Sequence, residues 1–581
     1  MTTQLSIPRA YLPQTVNCAT FNDIQPFYDE LQNRTLTSVT DLQKWMADRS
    51  ELECFVQEHT GWLYIRMTCD ATNEALSEAF NYFVNEIDPL IAPYNNGFNI
   101  KLTQSPFLKE LSPEKYAILL RSTAMAIQLF REENIPLHAQ IQTLQNNYGN
   151  ITSQMSIEHE GKELTLQQAA TYFKNTNRAL REAIYNAVNI RRLQDKTTLD
   201  ELYTQLISLR HNVAQNAGYA NYRDYKFDEL NRFDYNLKDV EEMHASVAKY
   251  IKPIVEQFDV ERKAELGYTS LQPWDMDVDT QGATPPKPFT TGEDLVNKTI
   301  ACFNKIDPQF AEFITIMRDL KYLDVESRKG KAPGGYNYPL YESNIPFIFM
   351  NAVGTMRDVE TMVHEGGHAI HSILSAGLEL VDFKNIPSEV AELASMSMEL
   401  IAMEHIETFV ADKDQLKRLK IEQLQSCLQT LTWVCTIDKF QHWIYTHPTH
   451  TLEERTAQWI QVFEEFNTSK IEYAAQEGTT TVAQKLSYKQ NAWQKQLHLY
   501  EVPFYYIEYG MAQLGAIAMW RQYKQNPAQC IANYKAALAL GYTKSIPEIY
   551  ATAGIEFNFS SAWINELAGF VNDELAKIKA S

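Results

Sequence analysis

The chain has 581 residues, 52 Lys and Arg against 73 Asp and Glu, and a formal net charge of −21; 45% of residues are hydrophobic and 22% charged. That is an ordinary globular composition with length enough for one large multi-lobed unit or several domains. So acidic a chain speaks against nucleic-acid and anionic-lipid partners. Its seven scattered cysteines, with no C-x-x-C pair, speak against a disulfide framework and fit reduced thiols.

At the N-terminus, "MTTQLSIPRAYLPQTVNC" has no basic region leading into an apolar stretch, so no secretory signal is expected. No uncharged apolar run reaches transmembrane length. A cytoplasmic protein with no membrane partner is the expectation. Only 21 residues are glycine, about 4% against a usual ~7%, which leans toward helix. Helical apolar periodicity fills 72–93, 163–216, 241–266, 388–440 and 563–578. In 241–266, Met243, Val247, Ile251, Ile254 and Phe258 recur at three- and four-residue steps, the period of one helix face. Two loops stand out, 280–294 and 328–346; the second does not fit the G-x-x-x-x-G-K-[ST] phosphate loop. The apolar run 346–351 predicts a strand. Thr355 to Asp358 then gives an [ST]-x-x-[DE] helix start. Val359, Met362, Val363, Ile370, Ile373 and Leu374 supply the apolar stripe, and Gly377 fits the end.

Inside that helix lies "HEGGHAIH", residues 364–371. His364 and His368, four apart, present both imidazoles on one helix face, and Glu365 stands one step round. This is the H-E-x-x-H zinc motif. Neutral imidazole nitrogens suit Zn²⁺, and an open coordination position keeps a water whose proton a nearby carboxylate can take. With 13 histidines in the chain, composition alone gives on the order of a few hundredths of such a motif. The metzincin pattern would need glycine at 371 and histidine at 374, where this chain has His371 and Leu374. His371 shares the face, but it is seven residues from His364, about 10 Å along the axis at 1.5 Å per residue. It is read as supporting the site or as core. The third ligand should be a carboxylate from another helix. In "NIPSEVAELASMSMELIAME", Glu389, Glu392 and Glu399 fall on or near one face of an apolar helix, where carboxylates need partners. The residues alone do not choose among the three. His442, His447 and His450 are set aside as a second metal site for want of a nearby Cys or acid.

The block "GKAPGGY…PFIFMNAVGTMRDVETMVHEGGHAIH" resembles the oligoendopeptidase F branch of the thimet oligopeptidase family of zinc metallopeptidases. "EVAELASMSME" is similar to that family's third-ligand helix, and "HLYEVPFYYIEYGMAQLGA" (498–516) to its C-terminal His/Tyr segment. Weaker similarity covers most of the chain, including "RALREAIY", "YRDYKFDELNRFDY" and "QPWDMD". The resemblance implies a mainly α, two-lobed zincin-type fold. A helical N-terminal lobe (about 1–195) would precede a catalytic lobe (196–581), with a small sheet beside the active-site helix and a deep substrate channel. It implies one Zn²⁺ per chain, held by His364, His368 and Glu392. It also implies cleavage of internal bonds of short oligopeptides by a zinc-bound water that Glu365 activates. Glu399 would orient a ligand imidazole, and His371 would lie just outside the ligands. His498, Tyr505 and Tyr509 would bind substrate and hold the oxyanion. Phe347, Ile348 and Phe349, on an edge strand, and Gly334, Gly335 and Tyr336, in the loop, would contact the peptide. The thimet-like branch carries a further tyrosine where this chain has Gly510-Met511-Ala512, which puts details of oxyanion binding in question.

Two rivals remain at this point. One is an exopeptidase of the same zinc class, which needs a group to capture a terminal charge; the sequence identifies none. The other is an inert helical peptide-binding protein. The two adjacent glycines give a further expectation. Gly367 lets a neighbouring backbone come close, so Gly367→Leu should damage zinc binding or activity, whereas Gly366→Leu should be tolerated or stabilising.

Overall fold

The computed structural model describes residues 9–473 and 480–580; the first eight residues of the N-terminal stretch considered above lie outside them. Helices dominate. The periodic segments form them, but the structure divides several. The segment 241–266 becomes Leu237–Ser246 and Lys252–Leu266, joined without a break through a π turn at Val247–Ile251. Likewise Glu74–Tyr82 runs through a π turn, Phe83–Ile87, into Asp88–Thr103. In both cases a proline, Pro253 or Pro89, is the second residue after the wide turn. Proline lacks an N–H and crowds the carbonyl four residues back, and a wider turn relieves both conflicts. The extra residue rotates the apolar face, so after Val247 and Ile251 it is Val255 and Phe258 that are buried.

The segment 163–216 is more thoroughly broken. It opens in a hairpin, Ser156–His159 with Lys162–Thr165, whose turn residues Glu160 and Gly161 both have positive φ (51° and 73°). Short turns follow, and two long helices, Arg178–Gln194 and Lys196–Asn216. Asn177 restarts the helix by accepting the N–H groups of Ala179 and Leu180. The expected lobe boundary at 195/196 falls between these two helices. The two largest buried apolar clusters change over earlier: one gathers residues from Leu12 to Leu119 together with Leu380 and Phe383, the other residues from Leu129 to Leu575.

A three-stranded sheet and four helices carry the site. The strands are β1 (Leu323–Glu326), β2 (Tyr336–Tyr338) and β3 (Phe347–Ala352). The helices are α1 (Met356–Leu374), α2 (Ser388–Met403), α3 (Lys413–Thr446) and α4 (Tyr506–Gln525). The predicted helix 388–440 is thus two, because Asp412 caps a fresh start by accepting the Gln415 N–H. The strand order is β1-β3-β2, with β1 parallel and β2 antiparallel to β3. This corrects one expectation: β3 is the central strand, not an edge. Its residues Phe347, Ile348 and Phe349 are buried, as a strand paired on both sides must be. The edge is β2, in the loop read above as irregular. The long N-terminal helix Val39–Cys69 lies against β2 so closely that a Cβ at Gly61 would stand 2.6 Å from the Tyr338 ring. Thr68 Oγ1 and the Tyr336 hydroxyl are 2.6 Å apart.

From β3 the chain turns into α1 at Gly354, whose φ of 101° is natural only to glycine. The predicted capping box is present. Asp358 Oδ2 accepts the N–H groups of Val353, Gly354 and Thr355, and Thr355 accepts that of Asp358. The helix stops at Leu374 with Ser375 as cap, ahead of Gly377.

Candidate active site and metal centre

Helices α1 and α2 pack face to face, and the contact requires glycine. A Cβ on Gly367 would lie 2.6 Å from Ser395 Cα and 3.0 Å from the Ala394 carbonyl, both α2 backbone. The missing side chain brings α2 close enough for Glu392 to meet the two histidines. Gly366 also has a reason, and it corrects the expectation of tolerance there. A Cβ at 366 would lie 2.8 Å from the ring of Phe303, which is fully buried on the helix Gly292–Ile306. Leucine has no room at either position.

His364, His368 and Glu392 each offer a donor atom, and the three atoms lie within 4.8 Å of one another. Glu392 Oε2 stands 3.4 Å from His364 Nε2 and 3.8 Å from His368 Nε2. The other faces of these groups are already held. His364 Nδ1 is 2.6 Å from Glu399 Oε1, and Glu399 Oε2 accepts from Gln423 Nε2 of α3 at 3.2 Å. His368 hydrogen-bonds the backbone of Ala391. Glu392 Oε1 accepts the Tyr505 hydroxyl at 2.6 Å, and Ser395 Oγ lies 3.2 Å from Oε2. Two imidazole lone pairs and one carboxylate oxygen therefore face a common point, with their outer atoms fixed by hydrogen bonds. That donor set and its backing fit a divalent zinc-type ion. Glu389, the nearest alternative on α2, points elsewhere: it is buried and accepts the Tyr235 hydroxyl at 2.7 Å.

The electrostatics follow from burial and charge. Burial works against ionisation of Glu392, yet His368, His364 and the Tyr505 hydroxyl pull its pKa down to about 2. Burial also lowers His368 to about 4, which keeps its imidazole neutral. Glu365 is 7% exposed and is not one of the three converging groups. Burial raises its pKa to about 7, opposed by His364 and by a hydrogen bond from the Asn337 backbone of β2. A carboxylate poised near neutrality can take a proton and return it.

These groups border a cavity of about 350 Å³, whose lining includes His364, Glu365, His368, Glu392, Tyr505 and Tyr509. Tyr505 is placed by a strained turn. Phe504 has φ 67°, its N–H donates to Gln441 Oε1 at 2.8 Å, and its carbonyl accepts from Arg232 Nη2, which also binds Glu508. His498 stands behind the tyrosines. Gln496 Nε2 lies 2.8 Å from its Nδ1, and the Tyr509 hydroxyl 3.5 Å from its Nε2. Burial lowers His498 to about 4 and raises both tyrosines well above their ordinary value.

Of the expected peptide contacts, Gly335 and Tyr336 border the cavity; Gly334, Phe347, Ile348 and Phe349 do not. His371 makes no hydrogen bond to a ligand. It lines the cavity beyond His368, and its buried Nε2 has no partner among the described residues. Sequence reasoning did not single out Gln423, Arg232 or Lys384, a lysine in the apolar run "LVDFKNI". Such a cation among apolar neighbours was the available signal. His442, His447 and His450 do not converge. Contrary to the expectation of no acid nearby, His442 Nε2 lies 3.1 Å from Asp438, one turn earlier on α3.

A helix-borne H-E-x-x-H pair completed by a glutamate from a neighbouring helix, beside a sheet and a cavity, defines the metallopeptidase class of zincin type. Within that class the chain belongs to peptidase family M3: the model of that family matches residues 171–569, and the M3 N-terminal domain matches residues 14–130. Oligopeptidase PepF of Bacillus subtilis is 24% identical over 306 residues, 52% of this chain and 44% of that protein. An oligoendopeptidase F homologue of Lactococcus lactis is 22% identical over 395 residues, 68% of this chain and 63% of that one. The matched stretch thus spans less than two thirds of these relatives. The solved structure of PZ peptidase A with an inhibitor superposes with a TM-score of 0.88 at 24% identity, over 96% of each chain, and shares the fold. No helix among the described residues is long and apolar enough to cross a membrane.

Proposed function

We propose that this protein is a zinc-dependent endopeptidase that hydrolyses internal bonds of short oligopeptides in the cytoplasm, with a helical lobe near 1–195 ahead of a catalytic lobe. The observation that carries the reading is the convergence of His364, His368 and Glu392 within 4.8 Å, beside a cavity. His364, His368 and Glu392 would hold one Zn²⁺ per chain. When bound, the ion supplies Lewis acidity at the scissile carbonyl and lowers the pKa of water to about 7. Glu365, whose carboxylate burial holds near neutrality, takes the proton of the attacking water and passes it to the leaving amine. Tyr505 secures Glu392. Tyr509, backed by His498, presents its hydroxyl to the cavity. A phenol there can donate to the oxyanion of the tetrahedral intermediate, a contact worth about 3–4 kcal/mol. The edge strand β2 offers backbone groups with which an extended peptide can pair without regard to its sequence.

The test is Glu365→Gln in protein carrying one zinc per chain. Turnover of an oligopeptide mixture, followed by mass spectrometry, should fall by about 10²–10⁴-fold while the zinc content stays at one. Unchanged turnover would refute the mechanism, and wild-type protein that cuts no peptide would refute the enzyme.

A further inference from the structure

The cavity does not end at the ligands. It continues along the same face of α1 past His371 and Ser372 to Ser375. Ser375 is seven residues beyond His368, so this arm runs about 10 Å at the helical rise of 1.5 Å per residue. Tyr341, Asn344 and Lys384, which lies ten residues beyond the end of α1, line it too. Lys384 closes the short turn Val381–Lys384, which packs against the N-terminal helix Val39–Cys69. It is only 6% exposed. Its ammonium donates to Asn344 Oδ1 at 2.9 Å, and among the described residues it forms no ion pair. Asn344 is itself buried and held at φ 55°, a conformation that asparagine tolerates better than other side chains. On the same wall, His371 is 2% exposed and its Nε2 is unpartnered.

A nine-tenths buried ammonium with a neutral partner is costly unless an anion completes it. In a chain with 73 acidic residues, a salt-bridge partner would have been easy to supply, yet among the described residues none forms an ion pair with Lys384. Lys384 is also part of the cavity lining. We propose that this part of the cavity binds a carboxylate carried by the peptide substrate, with Lys384 as the cation and Asn344 holding it in place. This rests on the peptidase reading above. An extended peptide advances about 3.3 Å per residue, so the carboxylate lies within about three residues of the scissile bond. Two sources share this chemistry: the C-terminal carboxylate of a short peptide, or an Asp or Glu side chain. The first makes the enzyme release short C-terminal fragments; the second makes it cut near acidic residues.

The experiment compares unlabelled peptide pairs on the zinc-loaded enzyme, with products read by mass spectrometry. One pair differs only in a free or amidated C-terminus. The others differ in Glu or Gln at one position within three residues of the cut. Wild type should favour the carboxylate member of at least one pair by about tenfold or more in kcat/KM, the scale of a charge-assisted hydrogen bond, mainly through KM. Lys384→Met should bring that ratio to about one, and Lys384→Arg should keep most of it. Preference in the terminus pair alone assigns the C-terminal carboxylate; preference in a Glu/Gln pair alone assigns a side chain. A wild-type ratio near one in every pair, or an unchanged ratio in Lys384→Met, overturns the inference. If Lys384→Met fails to fold by thermal melt and zinc content, Asn344→Asp decides. It sets a carboxylate against Lys384 and must lower the ratio likewise; an unchanged ratio overturns the inference. A wild type inactive on every peptide overturns the peptidase reading, and this subsite with it.

Discussion

Among the described residues, two places bring two histidines and one carboxylate together with a four-residue spacing on a helix, and only in one do three donor atoms converge as a metal site requires. In the first, His364 and His368 on α1 meet Glu392 of α2. In the second, Asp438 and His442 on α3 meet His244 of the helix Leu237–Ser246. The second set is the more tightly packed: Asp438 Oδ2 lies 2.9 Å from His244 Nε2 and 3.1 Å from His442 Nε2. There the His244 ring hydrogen-bonds the carboxylate, while His442 Nε2, though close to the same oxygen, has no hydrogen-bond partner among the described residues. In the first set, Glu399 and Ala391 hold the histidines from the outer side. The lone pairs are left to converge with Glu392 beside an open cavity. Residue types and spacing are therefore insufficient. What separates a ligand set from a structural ion cluster is which atom of each ring is already satisfied and whether the free atoms border space.

The largest effect that should follow is at the metal. Glu392→Gln should drop bound zinc, measured by elemental analysis after dialysis, from one per chain toward none. Asp438→Asn should leave the zinc content at one but lower stability by about 1–3 kcal/mol, because it weakens the buried acceptor of the His244 ring. Zinc loss in Asp438→Asn, or zinc retention in Glu392→Gln, would erase the distinction. The next effect is smaller. Glu399→Gln removes the carboxylate behind His364 and should weaken zinc affinity about 10–100-fold in a chelator competition. The glycines come third. Gly367→Ala and Gly366→Ala should each cost about 1–3 kcal/mol in denaturant unfolding, since both overpack a tight contact. Only Gly367→Ala, which pushes on the α2 backbone, should also weaken zinc binding. Equal zinc affinity in the two variants would sink that assignment.

The smallest effect concerns pH. Burial holds His244 below its ordinary value of 6.5. Asp438 is held below 3.8 because His442 and His244 outweigh its own burial. In both cases the unfolded chain binds the proton more readily. Stability therefore rises with pH and is lost on acidification, first below about 6.5 through His244 and then below about 4 through Asp438. Thermal melts at about pH 7.5 and 5.5 should show wild type losing more stability than His244→Gln over that interval. An equal loss in both would remove His244 from the account.

Much of the site was legible because its signals are local. The Thr355–Asp358 box, the i,i+4 histidines and the glutamate between them are set by helix geometry over a few residues. The proposed third ligand was narrowed only to an apolar helix with three glutamates, because periodicity places residues on a face without saying what that face meets. The strand 346–351 was readable as a strand but not as the central one. Its edge is closed by three residues, Tyr336–Tyr338, inside a loop-like stretch. The divided helices were hidden for the opposite reason. Their periodicity survives each break, and only the prolines and capping residues mark where a turn widens or a helix restarts.

The sequence by itself determined a mainly helical chain and the pair of imidazoles with its neighbouring carboxylate, since these depend on spacing along one helix. Tertiary structure decided the rest. It chose Glu392 over Glu389, because Gly367 admits the α2 backbone where a side chain would hold it off. It showed Gly366 to be filled space beneath Phe303. It turned His442 from a stray histidine into a neighbour of the buried Asp438–His244 pair, and it brought Lys384 to the cavity of a motif that ends thirteen residues earlier. Each of these is a matter of which surfaces meet and which atoms remain unsatisfied when they do, and no pattern within a single segment carries that information.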